Sequence, residues 1–172
     1  MTDTRTDARG RLLDRIDAER AWWRDLVGEI GDRRMTEPGP MGEWTFKDLA
    51  AHVLGWRERT IGRLEAAGAG APEPAAPWPS DLDDDDAINA WIHERSSDRT
   101  VREVLDAVDR SYERLAAAVA ALPDDLVSRP GAFPWLEGEA LADADLFDHV
   151  HEEHEPSIRA WLDESPRPGV DA

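Results

Sequence analysis

The segment Trp44-Thr45-Phe46-Lys47-Asp48-Leu49-Ala50-Ala51-His52-Val53-Leu54-Gly55-Trp56 carries its own helix start signal. Thr45-x-x-Asp48 resembles a capping box, with Asp in place of the usual Glu: the threonine hydroxyl and the aspartate carboxylate each satisfy a backbone N–H that the first turn leaves open. Beyond it, Phe46, Leu49, Ala50, Val53, Leu54, Arg57, Ile61 and Leu64 fall on or near one face. This spacing predicts an amphipathic helix that ends by about Gly68.

The same periodicity extends in both directions. Leu12, Ile16, Trp23, Leu26, Val27 and Ile30 recur at three- and four-residue steps, which predicts a first helix from about Asp7 to Gly31 behind a frayed start at residues 1–7. Residues 32–43, with Pro38, Gly39, Pro40 and Gly42, read as a loop. The proline-rich, acidic stretch 68–86 reads as a long connection that leads into a short helix at Asp86–Arg95. Thr100-x-x-Glu103 is a second capping box. The third long helix follows it, striped by Val101, Val104, Leu105, Val108, Tyr112, Leu115, Val119 and Leu122 and stopped by Pro123. Residues 123–142 read as a loop anchored by Phe133, Trp135 and Leu136. A fourth helix is predicted from about Asp143 to Glu164, closed by Pro166 and Pro168, with a kink at Pro156. No strand-like alternation of useful length is present. The expectation is an all-α fold, a four-helix bundle whose long second-to-third connection carries a short extra helix, with residues 1–172 as a single domain.

Composition narrows the function. A net charge of −18 repels nucleic-acid phosphates and anionic lipid, so neither is an expected partner. No apolar run approaches the ~20 residues of a membrane span and no apolar signal core opens the chain, so a soluble, cytoplasmic protein is expected. The chain has no cysteine, which removes thiolate ligands and thiol nucleophiles; a metal would need His, Asp, Glu or water. No Gly-x-Ser-x-Gly and no phosphate-binding glycine loop is present. The run Asp81 to Asp86 lacks the glycine and the spaced terminal Glu of an EF-hand, and reads as a solvated linker into a helix N-terminus. Lys47 is the only lysine, and the abundance of Ala, Asp and Gly fits a high-GC or salt-adapted source.

Three of the five histidines sit in Asp148-His149-Val150-His151-Glu152-Glu153-His154. At about 100° per residue, with Leu146 at zero, His154 lies near ~80° among Val150, Trp161 and Ile158, His151 near ~140°, and His149 near ~−60°. On that wheel only His151 and His154 point together into the bundle, and His149 faces solvent. His52 lies at the edge of its own stripe, placed to look across a helix seam, with Asp48 one turn earlier as a candidate acceptor for its ring. Three imidazoles with an open fourth position form a known catalytic arrangement for zinc and related ions, so His52, His151 and His154 are the candidate ligands of a divalent metal such as Zn, Ni or Fe. Glu155, four residues after His151, is a reserve ligand. Glu152, Glu153 and Glu155 are the candidate general bases. His93 reads as structural or exposed.

The Trp44–Trp56 segment and the late His151-Glu152-Glu153-His154 motif followed by Ile158 resemble the DinB-like four-helix bundle superfamily, which includes thiol-dependent maleylpyruvate isomerases and the ClbS/DfsB group. The resemblance implies a metal site with one histidine from the second helix and two ligands from the fourth. Carried over, these positions are His52, His154 and the position four residues before His154, which here is Val150; either His151 replaces the missing ligand or the site is degraded.

Two functions follow. One is a metal-dependent enzyme that performs hydrolysis or thiol transfer on a small electrophilic molecule, with a low-molecular-weight thiol such as mycothiol as co-substrate. The other is a metal-free, ClbS/DfsB-like binding or self-resistance protein. Its ligand cavity would be lined by some of the eight tryptophans, with Trp56, Trp91 and Trp135 as pocket candidates. The adjacent Trp22 and Trp23 cannot both face one core, so one of them marks a possible homodimer interface.

Overall fold

The computed structural model describes residues 4–164, with side chains from residue 8. It contains helices α1 (Thr4–Ile30), α2 (Phe46–Gly68), α3 (Asp85–Ser96), α4 (Val101–Ala121), α5 (Asp124–Ser128) and α6 (Glu155–Glu164). The backbone is already helical from Thr4, three residues ahead of the start expected at Asp7. The expected fraying of residues 1–3 and the closure at Pro166 and Pro168 lie outside the described residues.

The fold is an all-α four-helix bundle. α4 packs on both α1 and α2, α3 lies against α2, and the helical stretch of residues 149–164 supplies the fourth member. Leu12, Ile16, Trp23, Phe46, Leu49, Ile61, Val108, Leu115 and Ile158 are all nearly inaccessible and belong to one apolar core. Burial of a large aliphatic or aromatic side chain contributes about 1.5–3 kcal/mol, so this stripe-to-stripe packing outweighs modest helix propensity.

Both capping boxes form. Asp48 N–H donates to Thr45 Oγ1 at 3.2 Å, and Thr45 N–H donates to Asp48 Oδ2 at 2.9 Å. Thr100 and Glu103 repeat the exchange at 3.2 and 2.7 Å. These caps explain why the starts of α2 and α4 were readable to the residue.

The loops differ more from expectation. Residues 32–43 contain a 3₁₀ turn (Asp32–Arg34) and β1 (Pro38–Met41), which pairs antiparallel with β2 (Trp44–Thr45) and packs on α6. Residues 123–142 hold α5 and a 3₁₀ turn at Pro134–Leu136. The fourth helix does not begin near Asp143: residues 141–147 run through turns and bends, and Asp145 Oδ1 accepts from Phe147 N–H at 3.0 Å. From His149 to His154 the backbone is π-helical, and Glu155 N–H bonds to Val150 O, five residues back. Pro156 supplies a reason. In an α-helix its ring would meet the Glu152 carbonyl and its nitrogen could not donate to it; a widened turn relieves that clash just before α6 resumes. The predicted kink is thus an added residue in the turn.

No helix among the described residues is long and apolar enough to cross a membrane.

Candidate metal centre

His52 projects from the middle of α2 and His154 from the last residue of the π turn, both almost fully buried at 3 % and 6 % exposure. Their rings meet edge to face, with centroids 5.2 Å apart. The third ring is His149. Its Nε2 stands 3.0 Å from His154 Nε2 and 3.4 Å from His52 Nε2. Two ligands on a tetrahedral ion at roughly 2.0–2.1 Å are separated by about 3.3 Å, so these nitrogens have the spacing of a shared coordination sphere.

The third member is therefore His149 and not His151. On an α-helical wheel, residues five apart diverge by about 140°. The π turn closes its hydrogen-bonded ring at five residues and brings them one above the other. The ring of His149 is exposed, as the wheel indicated, but its Nε2 turns inward to the buried pair. The cue in the sequence was Pro156.

Burial, with the neighbouring His154 and His149 rings, pushes the His52 pKa down to about 4; burial, with His149, does the same for His154, also to about 4. Both rings are neutral at pH 7 and can offer lone pairs. His52 Nδ1 is buried with no hydrogen-bond partner. Asp48, the acceptor expected for it, is committed to the Thr45 cap and lies 3.6 Å from His93 Nε2. His93 itself stacks on Trp44. Three imidazoles whose ring nitrogens all lie within 4.8 Å of one another fit a divalent ion.

His151 lies between two carboxylates. Its Nδ1 is 2.7 Å from Glu155 Oε2 and its Nε2 is 2.9 Å from Glu19 Oε2, and its ring rests on Trp22. Burial opposes the charged imidazolium, yet the hydrogen bonds to Glu155 and Glu19 outweigh it and raise the His151 pKa. Burial raises the pKa of Glu19. Of the candidate bases, Glu152 and Glu153 point to solvent, and Glu155 is engaged by His151 and Arg159. None of the three meets the histidine set.

A cavity of about 190 Å³ opens beside His149, walled by Trp56, Arg57, Arg59, Arg63, Trp78 and Phe147 among others. Its lining includes three arginines and, among the described residues, no carboxylate. Arg59 and Arg63 both donate to Glu73 Oε1, each at 2.8 Å. Arg57 is 8 % exposed; it donates to Ser111 Oγ at 3.0 Å and Tyr112 Oη at 3.1 Å, lies over the Tyr112 ring, and its charge acts on the Glu19 carboxylate. The proposed tryptophan pocket is not assembled. Trp56 lines this cavity, Trp91 lines another on the α3 side of α2, and Trp135 lines a third beside Phe133. Trp23 enters the core, and Trp22 is covered by His151.

The mycothiol maleylpyruvate isomerase N-terminal domain family model matches residues 16–150. The chain belongs to this family. The stretch matched to the maleylpyruvate isomerase N-terminal domain takes in His52 and His149 and stops short of His154. No curated protein and no solved structure matches the chain. Membership in the maleylpyruvate isomerase N-terminal family accounts for the bundle. The position four residues before His154, occupied by Val150, is apolar and buried; its place at the site is taken by His149, one residue earlier.

Proposed function

We propose that this protein is a metal-dependent enzyme that performs hydrolysis or thiol transfer on a small, anionic electrophile, with zinc, nickel or iron held by His52, His149 and His154. The observation that carries this reading is the convergence of three imidazole Nε2 atoms beside a cavity. Family membership supports a low-molecular-weight thiol such as mycothiol as co-substrate, because a chain without cysteine has no thiol of its own.

When bound, the ion would supply Lewis acidity and acidify a coordinated water or thiol. The chain's own groups do the rest. Arg57, buried and hydrogen-bonded to two hydroxyls, is set to take a substrate carboxylate in a charge-assisted hydrogen bond. Arg59 and Arg63, held by Glu73, add positive potential at the same wall. Trp56 and Trp78, packed edge to face, exclude water from one side. The metal-free alternative draws less support, because Trp56, Trp91 and Trp135 face separate cavities.

The test is metal content of untagged protein by elemental analysis. About one equivalent is expected in wild type, and loss of metal in His149→Ala and His154→Ala. Wild type that takes up no metal after reconstitution at neutral pH would overturn the proposal.

A further inference from the structure

The Glu19–His151–Glu155 cluster has no part in that chemistry, yet His151 sits inside the π turn, two residues after His149 and three before His154. Both ring nitrogens are engaged. Glu155 reaches back from the first position of α6, and Glu19 reaches across from α1, which is 132 residues away in sequence. Trp22 backs the ring at 4.4 Å between centroids. The imidazole therefore cannot rotate or slide without breaking a contact on either side.

The cost of this arrangement is visible. Glu19 is 9 % exposed, and its Oε1 is buried without a hydrogen-bond partner. An apolar residue at position 19 would avoid that desolvation, so packing alone does not explain a carboxylate there. A π turn is rare because its hydrogen-bond geometry is less favourable than that of the α-helix, and it needs something to hold it.

We infer that Glu19 and His151 are positioning residues: their hydrogen-bonded contact, closed by Glu155, holds the π turn in the register that places His149 Nε2 against His154 Nε2. As far as it concerns a metal, the inference rests on the function proposed above, but the register itself is a property of the metal-free chain.

The experiment compares wild type, Glu19→Leu and Glu19→Gln. In metal-free protein, NMR reads the NOE between the His149 and His154 rings, whose centroids are 4.6 Å apart. Cobalt(II) titration then reads affinity and the ligand-field spectrum. In Glu19→Leu, the ring-to-ring NOE is expected to vanish and cobalt affinity to fall about 10–100-fold, the usual cost of losing a group that orients a ligand. Glu19→Gln keeps an oxygen for His151 Nε2, and is expected to restore the NOE and to bind cobalt within about fivefold of wild type. If the leucine variant does not fold, Glu19→Ala is read in its place, and an NOE retained there overturns the inference. An NOE retained in Glu19→Leu would overturn the inference. Wild type that binds no cobalt would overturn the proposed function, while the NOE would still decide the positioning role.

Discussion

His149 and His154 are five residues apart in sequence, and their Nε2 atoms stand 3.0 Å apart in space. An α-helix cannot produce that pairing, because it brings together residues three and four apart. The Glu155-to-Val150 hydrogen bond spans the extra residue and lets it happen. The π turn thus behaves as an α-helical turn that has gained one residue between the two histidines.

Deleting Glu153, an exposed residue inside the turn, together with Pro156→Ala, should let an ordinary α-helix form with the two histidines four apart. Cobalt affinity is expected to stay within about tenfold of wild type, with a small gain in helix signal by circular dichroism. A loss of more than a hundredfold would show that the turn is not a spare residue in the ligand register.

Arg57 gives a test of the cavity. Met fills most of its volume without charge, and Ser111 Oγ still has the Val108 carbonyl to donate to. Arg57→Met is expected to fold and to melt below wild type, since it loses two hydrogen bonds, the contact over the Tyr112 ring and the charge that acts on Glu19. Succinate, used as a probe dicarboxylate, should bind at least tenfold more weakly to the variant by calorimetry, as expected for loss of a charge-assisted hydrogen bond. Equal binding would remove Arg57 from substrate recognition.

The buried histidines make the metal-free protein sensitive to acid. With pKa values of about 4 against an ordinary 6.5, His52 and His154 are neutral in both folded and unfolded chains above pH 6.5 and affect stability in neither direction. Between pH 6.5 and 4 the unfolded chain takes up protons that the folded one refuses, so stability falls as pH falls. At pH 5 this amounts to about 2 kcal/mol per ring. Denaturant titrations of wild type and His154→Gln at pH 7.5 and 5 isolate one ring: the variant should lose less stability between the two pH values by about that amount. A wild-type-to-variant difference that does not change with pH would contradict the burial of His154.

Two glycines should respond in opposite ways to alanine. Gly39, at φ 147° in β1, would place a Cβ inside the Trp161 ring of α6. Gly39→Ala is therefore expected to cost about 3 kcal/mol, seen as a drop in melting temperature and a shift in tryptophan emission. Gly28 lies in α1, where an added methyl group would meet nothing within 4 Å. Gly28→Ala should stabilise by about 0.5–1 kcal/mol. Similar melting temperatures for the two variants would mean that β1 does not pack on α6 as described.

Much of this molecule is local. Thr45 with Asp48 and Thr100 with Glu103 set the starts of α2 and α4 by bonds within three residues, and the apolar stripes of α1, α2 and α4 fix which faces turn inward. The burial of His154 followed from the same periodicity. His52, read as a boundary residue, is nearly inaccessible because the π turn closes over it.

What the amino-acid sequence determined alone was therefore the helices, their caps and an all-α bundle, since these rest on neighbours a few residues apart. Tertiary structure decided which rings converge. The exchange of His149 for His151 depends on a change in helical pitch beside Pro156 and on Glu19, 132 residues from His151. A helical wheel assumes one fixed angle per residue and has no term for a partner on another helix. For the same reason the sequence could not assign Trp56, Trp91 and Trp135 to separate cavities, or gather Arg57, Arg59 and Arg63 on the wall beside His149: lateral packing sets those neighbours, and it is settled only when the helices meet.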